Sequence, residues 1–182
     1  PYGEAVGYWD FPDPAGLNLT FVNQTTNQVL VDRATLNMEV DRYYTGVVFG
    51  NTVPAKFILL RDTALQSTST NPRIRFLNLA EGVEAVDLFI GDEKIERLSN
   101  RIPEVQATAN RSAIFILSER APGAADITVR NISGNTLASL PSYSFGASSH
   151  HTIALVGDPA FNEQSPYIAD RARGLRIRTI IQ

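Results

Sequence analysis

Short β-prone segments separated by turn residues run through almost the whole chain, and they limit the fold more than any other feature. The segments are rich in β-branched and aromatic residues and are bounded by Asn, Gly, Pro or Asp, which is typical of strands joined by tight turns. A helical period is not found in any window of about 12 residues. The pattern predicts an all-β protein built from sandwiches rather than from a parallel α/β sheet. Strands are predicted at residues 17–22, 28–31, 43–49, 57–60, 73–79, 85–90, 112–117, 126–132, 136–140, 152–156 and 175–181.

Residues 73–79 show the strand pattern most clearly. Their sequence, Arg-Ile-Arg-Phe-Leu-Asn-Leu, begins by alternating charged and apolar side chains. Because successive side chains of a strand point to opposite faces, the alternation predicts one wet face and one buried face.

An internal repeat divides these predicted strands into two copies of one unit. Residues 5–23 match residues 113–131 at a constant offset, through Ala-Val-Gly-Tyr-Trp against Ala-Ile-Phe-Ile-Leu and Leu-Thr-Phe-Val-Asn against Ile-Thr-Val-Arg-Asn. Residues 43–50 then match residues 150–157 at a slightly smaller offset. Repeats of this kind indicate copies of one supersecondary unit. The first copy lacks a counterpart of residues 73–111.

A polar segment lies between the two copies. Residues 66–72, Gln-Ser-Thr-Ser-Thr-Asn-Pro, contain no large apolar side chain and are typical of an exposed linker. We therefore expect a partial first sandwich at residues 1–66, an exposed and mobile linker at 67–72, and a complete second sandwich at 73–182. The chain starts at Pro1 rather than Met, so we expect an upstream segment to have been removed.

The last predicted strand has two alternative positions. Residues 175–179, Leu-Arg-Ile-Arg-Thr, imitate the opening strand of the second unit. The strand would complete the sheet of the first unit, within the chain or in a neighbouring one, or it would be the last strand of the second unit.

Four motifs in residues 73–157 resemble a known family. They are Arg-Ile-Arg-Phe-Leu-Asn at 73–78, Ala-Val-Asp-Leu-Phe at 85–89, Gly-Asp at 91–92 and Thr-Ile-Ala-Leu-Val-Gly at 152–157. The stretch resembles the DUF4397 family of extracytoplasmic β-repeats, although Ala-Glu-Gly-Val replaces the usual Ser-Pro turn after the first strand. The resemblance implies an exported or surface-anchored protein, frequently a bacterial lipoprotein with tandem copies. It supplies no catalytic residues.

Composition excludes several classes of function. The absence of cysteine excludes disulfides, cysteine-ligated zinc and thiol catalysis. A net charge of −3 argues against a broad nucleic-acid-binding surface. The sequence contains no apolar run near the ~18–20 residues of a membrane span, and the common nucleophile, phosphate-loop and zinc motifs are missing.

The densest aromatic cluster is the candidate binding site. Tyr8, Trp9 and Phe11 lie close together, and exposed aromatic rings stack on sugars or on partner proteins. In the repeat, Trp9 matches Leu117, which favours a core position, whereas Phe11 matches Glu119, which favours exposure.

Two further candidates are interpreted as structural. His150 and His151 are adjacent on a strand, so their side chains point to opposite faces and cannot easily share a metal. We expect one ring in the core and the other on the surface. Asp87 lies in the middle of a strand, and we expect it to pair with Arg73 or Arg75.

These observations predict two immunoglobulin-like or transthyretin-like β-sandwich units, the first of them incomplete. The leading function is a non-enzymatic binding or spacer module of the bacterial cell envelope or surface, with a protein or glycan partner and without cofactor or metal. Membrane attachment is expected only through an upstream lipid anchor. The alternatives are a fimbrial or assembly subunit that works by strand donation and a small carbohydrate-active enzyme. The oligomeric state stays open.

Overall fold

The computed structural model describes residues 16–63, 68–162, 164–165 and 173–182, and their long elements are all strands. The all-β prediction is therefore confirmed. Helical structure in these ranges is limited to two 3₁₀ turns, Glu96–Leu98 and Gln106–Thr108, and to one turn of α-helix, α1 (Ala109–Ser112). The strands are β1 (Asn18–Val22), β2 (Val29–Thr35), β3 (Tyr43–Phe49), β4 (Lys56–Asp62), β5 (Arg73–Asn78), β6 (Val86–Ile90), β7 (Glu93–Lys94), β8 (Ile116–Leu117), β9 (Gly123–Asn131), β10 (Thr136–Phe145), β11 (His150–Val156) and β12 (Arg176–Ile181).

Two four-stranded sheets form a sandwich in the C-terminal part of the chain. One has the order β10-β9-β6-β7 and is antiparallel, and the other has the order β12-β11-β5-β8. In the second sheet β11 and β5 are parallel, and the outer pairs are antiparallel. The core between the sheets includes Phe76, Leu88, Ile127 and Leu155, all of which are fully buried. Their inward positions follow from the two-residue period of a strand.

A second core covers the other face of the β12-β11-β5-β8 sheet. Leu77 of β5 and Ala154 of β11 belong to the same buried cluster as Ile58 and Leu60 of β4. The sheet is therefore buried on both sides, as sheets with parallel pairs usually are. All six residues of β5 are buried, so the predicted wet face of residues 73–79 is wrong. The face is polar in sequence, but the β3–β4 hairpin covers it.

The described part of the N-terminal half consists of two antiparallel hairpins, β1–β2 and β3–β4. The hairpins contact each other through the rings of Phe21 and Phe57, whose centroids are 5.4 Å apart. Each hairpin is a separate two-stranded sheet. The described residues before 63 thus form two hairpins, and the partial first sandwich at residues 1–66 stays a prediction.

The C-terminal strand belongs to the second unit. β12 pairs with β11 over six residue pairs, from His151 with Ile181 to Val156 with Arg176. Among the described residues its ladder partners all lie in β11, and this pairing counts against the hypothesis that the strand completes the first unit's sheet. The part of the hypothesis that concerns residues 5–15 lies outside the described residues. Ile177 enters the sandwich core at the same time. One side chain still reaches the first unit, since Gln182 Nε2 donates to Thr45 Oγ1 at 3.0 Å.

Two other predictions need adjustment. The predicted strand at 112–117 starts late, because residues 109–112 form α1 and only Ile116 and Leu117 pair with β5. Within the predicted linker, Asn71 Nδ2 donates to the carbonyl of Ser118, and the carbonyl of Thr70 accepts from the amide of Ser148. The end of the linker next to β5 is therefore tied to the sandwich. Its mobility stays a prediction.

Candidate functional site

A buried guanidinium lies where the β3–β4 hairpin meets the sandwich. Arg75 of β5 is 0% exposed. Its Nη1 donates to Asp62 Oδ1 at 2.5 Å, and its Nε donates to Thr152 Oγ1 at 2.8 Å. Its Nη2 donates to Thr45 Oγ1 at 3.0 Å. A buried charge is tolerated when it is paired and hydrogen-bonded in this way.

Thr45 connects the acid to the rest of this network. Its hydroxyl donates to Asp62 Oδ2 at 2.7 Å. The Oγ1 atom of Thr45 also accepts hydrogen bonds from Arg75 Nη2 and from Gln182 Nε2. One donated and two accepted bonds use the full capacity of a hydroxyl group. The network thus joins β3, β4, β5, β11 and the last residue of the chain, and we call Arg75, Asp62, Thr45, Thr152 and Gln182 the junction network.

Aromatic rings cover one side of the junction network. The guanidinium carbon of Arg75 lies 4.5 Å from the centroid of the Phe115 ring, a separation typical of cation–π contacts. The His150 ring meets Phe115 edge-on at 4.9 Å. Burial lowers the pKa of His150, and the positive charges of Arg73 and Arg75 lower it further. The charge of Asp62 raises it in part, and the net lowering favours the neutral form of His150 at neutral pH.

His151 points into the sandwich core on the opposite face of β11. It is 0% exposed, its Nδ1 lies 2.8 Å from the Tyr143 hydroxyl, and its Nε2 lies 2.6 Å from Ser149 Oγ. Ser149 gives its only hydroxyl proton to the carbonyl of Gly146, so the bonding pattern assigns the imidazole proton to Nε2. Burial lowers the pKa of His151. The expectation that one of the two histidine rings lies in the core is confirmed for His151. His150 was expected on the surface, but it is half-buried.

Asp87 has a structural role, but its predicted partner is wrong. Its carboxylate lies 3.1 Å from Lys94 Nζ and accepts the amide of Asn100 at 2.8 Å. The pKa of Lys94 is raised mainly by its hydrogen bond to Asp87. Arg73 and Arg75 are not its partners, because β5 and β6 belong to opposite sheets and β6 pairs with β7 instead.

The aromatic candidates Tyr8, Trp9 and Phe11 lie outside the described residues. Within the described ranges, His, Asp and Glu side chains do not gather in a group of three or more that could hold a metal. In that same part of the chain, each helix is too short to cross a membrane.

Sequence reasoning missed the junction network because its members come from separate segments of the chain, namely β3, β4, β5, β11 and the last residue. One signal was present, since Thr45 and Thr152 occupy matching positions of the internal repeat. The structure brings these two threonines to one guanidinium. The arrangement holds the β3–β4 hairpin and the sandwich together through the buried, hydrogen-bonded charge of Arg75.

Comparison with protein families gives a match to the N-terminal part of the chain. The family described as "Domain of unknown function (DUF4397)" matches residues 1–89. The matched stretch ends in β6, so it covers both hairpins and the first strands of the sandwich. A comparison with curated proteins gives no match.

Proposed function

Since the chain belongs to the DUF4397 family through residues 1–89, we propose that it is a non-enzymatic spacer and binding module of the cell envelope or surface. In this proposal two copies of one β unit hold each other in a fixed orientation, and a protein or a glycan binds to exposed loops or edges. The observation that carries the proposal is the junction network, which buries a charge between the two units.

Strand pairing supports the proposal of two copies. β3 and β4 form an antiparallel hairpin in which Tyr44 faces Arg61. β11 and β12 form a matching hairpin in which His151 faces Ile181. Tyr44 and His151 are equivalent in the sequence repeat, so the two hairpins correspond. β1–β2 corresponds in the same way to β9–β10, since both are antiparallel pairs with bulges.

The copies contact each other through equivalent faces. Thr45 and Thr152 match in the repeat, and both bind Arg75. Val47 of β3 and Val156 of β11 both pack against the second core. Contacts between matching faces resemble an isologous interface, which closes on itself. The pair of units is therefore suited to act as a rigid block.

A fimbrial or assembly subunit is the second candidate, and the ladder pattern of β3 favours it. In the sandwich, β11 is flanked by β12 and by the parallel strand β5. Among the described residues, its counterpart β3 forms a ladder with β4 alone. Strand donation would add a second neighbour at the position that β5 takes beside β11.

The proposal is tested in the cells that naturally produce the chain. A protease added to intact cells should remove the protein, and a membrane-impermeant cross-linker should join it to an envelope protein or glycan. Recovery of all the protein, undigested, from the cytoplasmic fraction would contradict the envelope role. Cross-linked ladders made only of copies of this chain would favour the assembly subunit instead.

A further inference from the structure

A small cavity at one side of the sandwich combines cationic and apolar walls. Its volume is about 180 Å³. It lies beside β7 and β8, which are the edge strands of the two sheets. β10 and β12 are the edges at the opposite side. The cavity is lined by Arg97, Leu98, Arg101, Arg111, Ile114 and Ile116.

Arg101 is the unusual member of this cavity. It is only 8% exposed, and its Nε is shielded from solvent without a hydrogen-bond partner in the described part of the chain. Its position is fixed by the backbone, because its amide and carbonyl form a bridge with Val86. A buried donor without a hydrogen-bond partner carries its full desolvation penalty, and the penalty is larger when the group is charged. A native fold that keeps such a group needs a reason for it.

The three arginines of the cavity outnumber the acid that acts on them, because Glu104 offsets only part of their charge. Within the described ranges, Arg97, Arg101 and Arg111 form no ion pair at 4.0 Å or less. Glu104 is the acid that acts on Arg101, but its Oε2 accepts hydrogen bonds from Ser112 and Thr108. Burial lowers the pKa of Arg101, Glu104 raises it, and Arg111 lowers it. Arginine stays protonated under such shifts.

We infer that this cavity binds a small organic acid, with the carboxylate on Arg101 and the apolar part against Leu98, Ile114 and Ile116. A guanidinium presents a planar fork of donors that matches a carboxylate, and the paired bond is stronger than a neutral one. Half of the lining residues are apolar, and an inorganic anion would leave them uncovered. The cavity is smaller than those that hold drug-sized ligands, so the acid must be short. This inference does not depend on the spacer role proposed above.

Titration of the full chain with hexanoate tests the inference. The readout is the set of isoleucine methyl signals in carbon–proton NMR spectra. Hexanoate should shift the Ile114 and Ile116 methyl signals and saturate, while hexanamide and acetate should bind about tenfold or more weakly, because each lacks one half of the recognised chemistry. Equal binding of hexanamide, stronger binding of inorganic phosphate, or the absence of a saturable shift would overturn the inference.

Substitutions locate the site. Arg101→Gln should weaken hexanoate binding about tenfold or more, since it removes the buried charge. Arg178→Gln is the matched control, because Arg178 is an exposed arginine on β12, and binding should not change. If Arg101→Gln does not fold, the double variant of the exposed residues Arg97→Gln and Arg111→Gln is used instead. It keeps Arg101 but removes the other two positive charges of the cavity, and it should also weaken hexanoate binding. Wild-type affinity in a folded variant of either kind would refute the site.

Discussion

The junction network should stabilise the fold as a coupled pair rather than as two separate groups. Arg75 is 0% exposed and the Asp62 side chain is 9% exposed, so neither charge is well hydrated when its partner is removed. Removing one member of a buried ion pair costs about 3–5 kcal/mol, whereas replacing both by apolar residues is often close to neutral. We therefore expect Arg75→Met and Asp62→Leu each to lower the free energy of unfolding by about 3–5 kcal/mol.

The double variant distinguishes the loss of the ion pair from a general loss of stability at the two positions. Arg75→Met with Asp62→Leu removes both charges, although it leaves the hydroxyls of Thr45 and Thr152 with fewer partners. We expect a total loss of about 1–3 kcal/mol, which gives a coupling energy of several kcal/mol. The measurement is urea-induced unfolding followed by far-ultraviolet circular dichroism, with linear extrapolation of the free energy to water.

An exposed ion pair provides the matched control for this cycle. Arg61 and Glu39 lie 2.9 Å apart with side chains 42% and 61% exposed. Arg61→Met should cost at most about 1 kcal/mol, because exposed pairs contribute little. The reasoning fails if the single junction variants cost no more than Arg61→Met, or if their effects add in the double variant.

Three more predictions follow from the described contacts. The pKa of His151 is lowered from 6.5, so as the pH falls below this value the unfolded chain takes up a proton that the folded chain does not. Stability should therefore fall with the pH, less steeply in His151→Gln, and identical urea-unfolding midpoints at about pH 7 and about pH 5 would contradict this. Gly157→Ala should lower the free energy of unfolding by at least ~3 kcal/mol, because Gly157 has φ +105° and a Cβ would collide with the carbonyl of Gly174. The control Gly134→Ala, with φ +84° and open space around the added Cβ, should cost about 1 kcal/mol, and equal losses in the two variants would be inconsistent with the collision. Leu60→Ala should lower the free energy of unfolding by about 2–5 kcal/mol because Leu60 is 0% exposed. Val53→Ala, at an exposed position, should change it by less than about 0.5 kcal/mol, and an equally small effect of Leu60→Ala would argue against the second core.

The strands of the sandwich could be predicted because their signals are local. The period of two in residues 126–130 and the turn at 133–135 are properties of neighbouring residues, and β9 and β10 form on either side of that turn. The all-β class followed from many such local signals.

The two-sided burial of β5 could not be predicted, because what covers it is distant in sequence. Its alternating arginines indicate a wet face, but β4 brings Ile58 and Asp62 against that face. The partner of Asp87 was missed for a different reason. Lys94 lies close in sequence, across the β6–β7 hairpin, whereas the expected arginines of β5 belong to the opposite sheet. The Arg101 cavity had no signal in the sequence, because scattered arginines normally occupy the surface.

Native-state hydrogen exchange tests most directly whether the hairpin and the sandwich form one block. The measurement compares amides of β4 with amides of β11 as urea is increased below the unfolding transition. If the junction network couples the two units, both sets should exchange through a shared opening of the same free energy in the wild-type chain. Exchange of the β4 amides through a smaller opening, while the β11 amides remain protected, would contradict the proposed fixed junction.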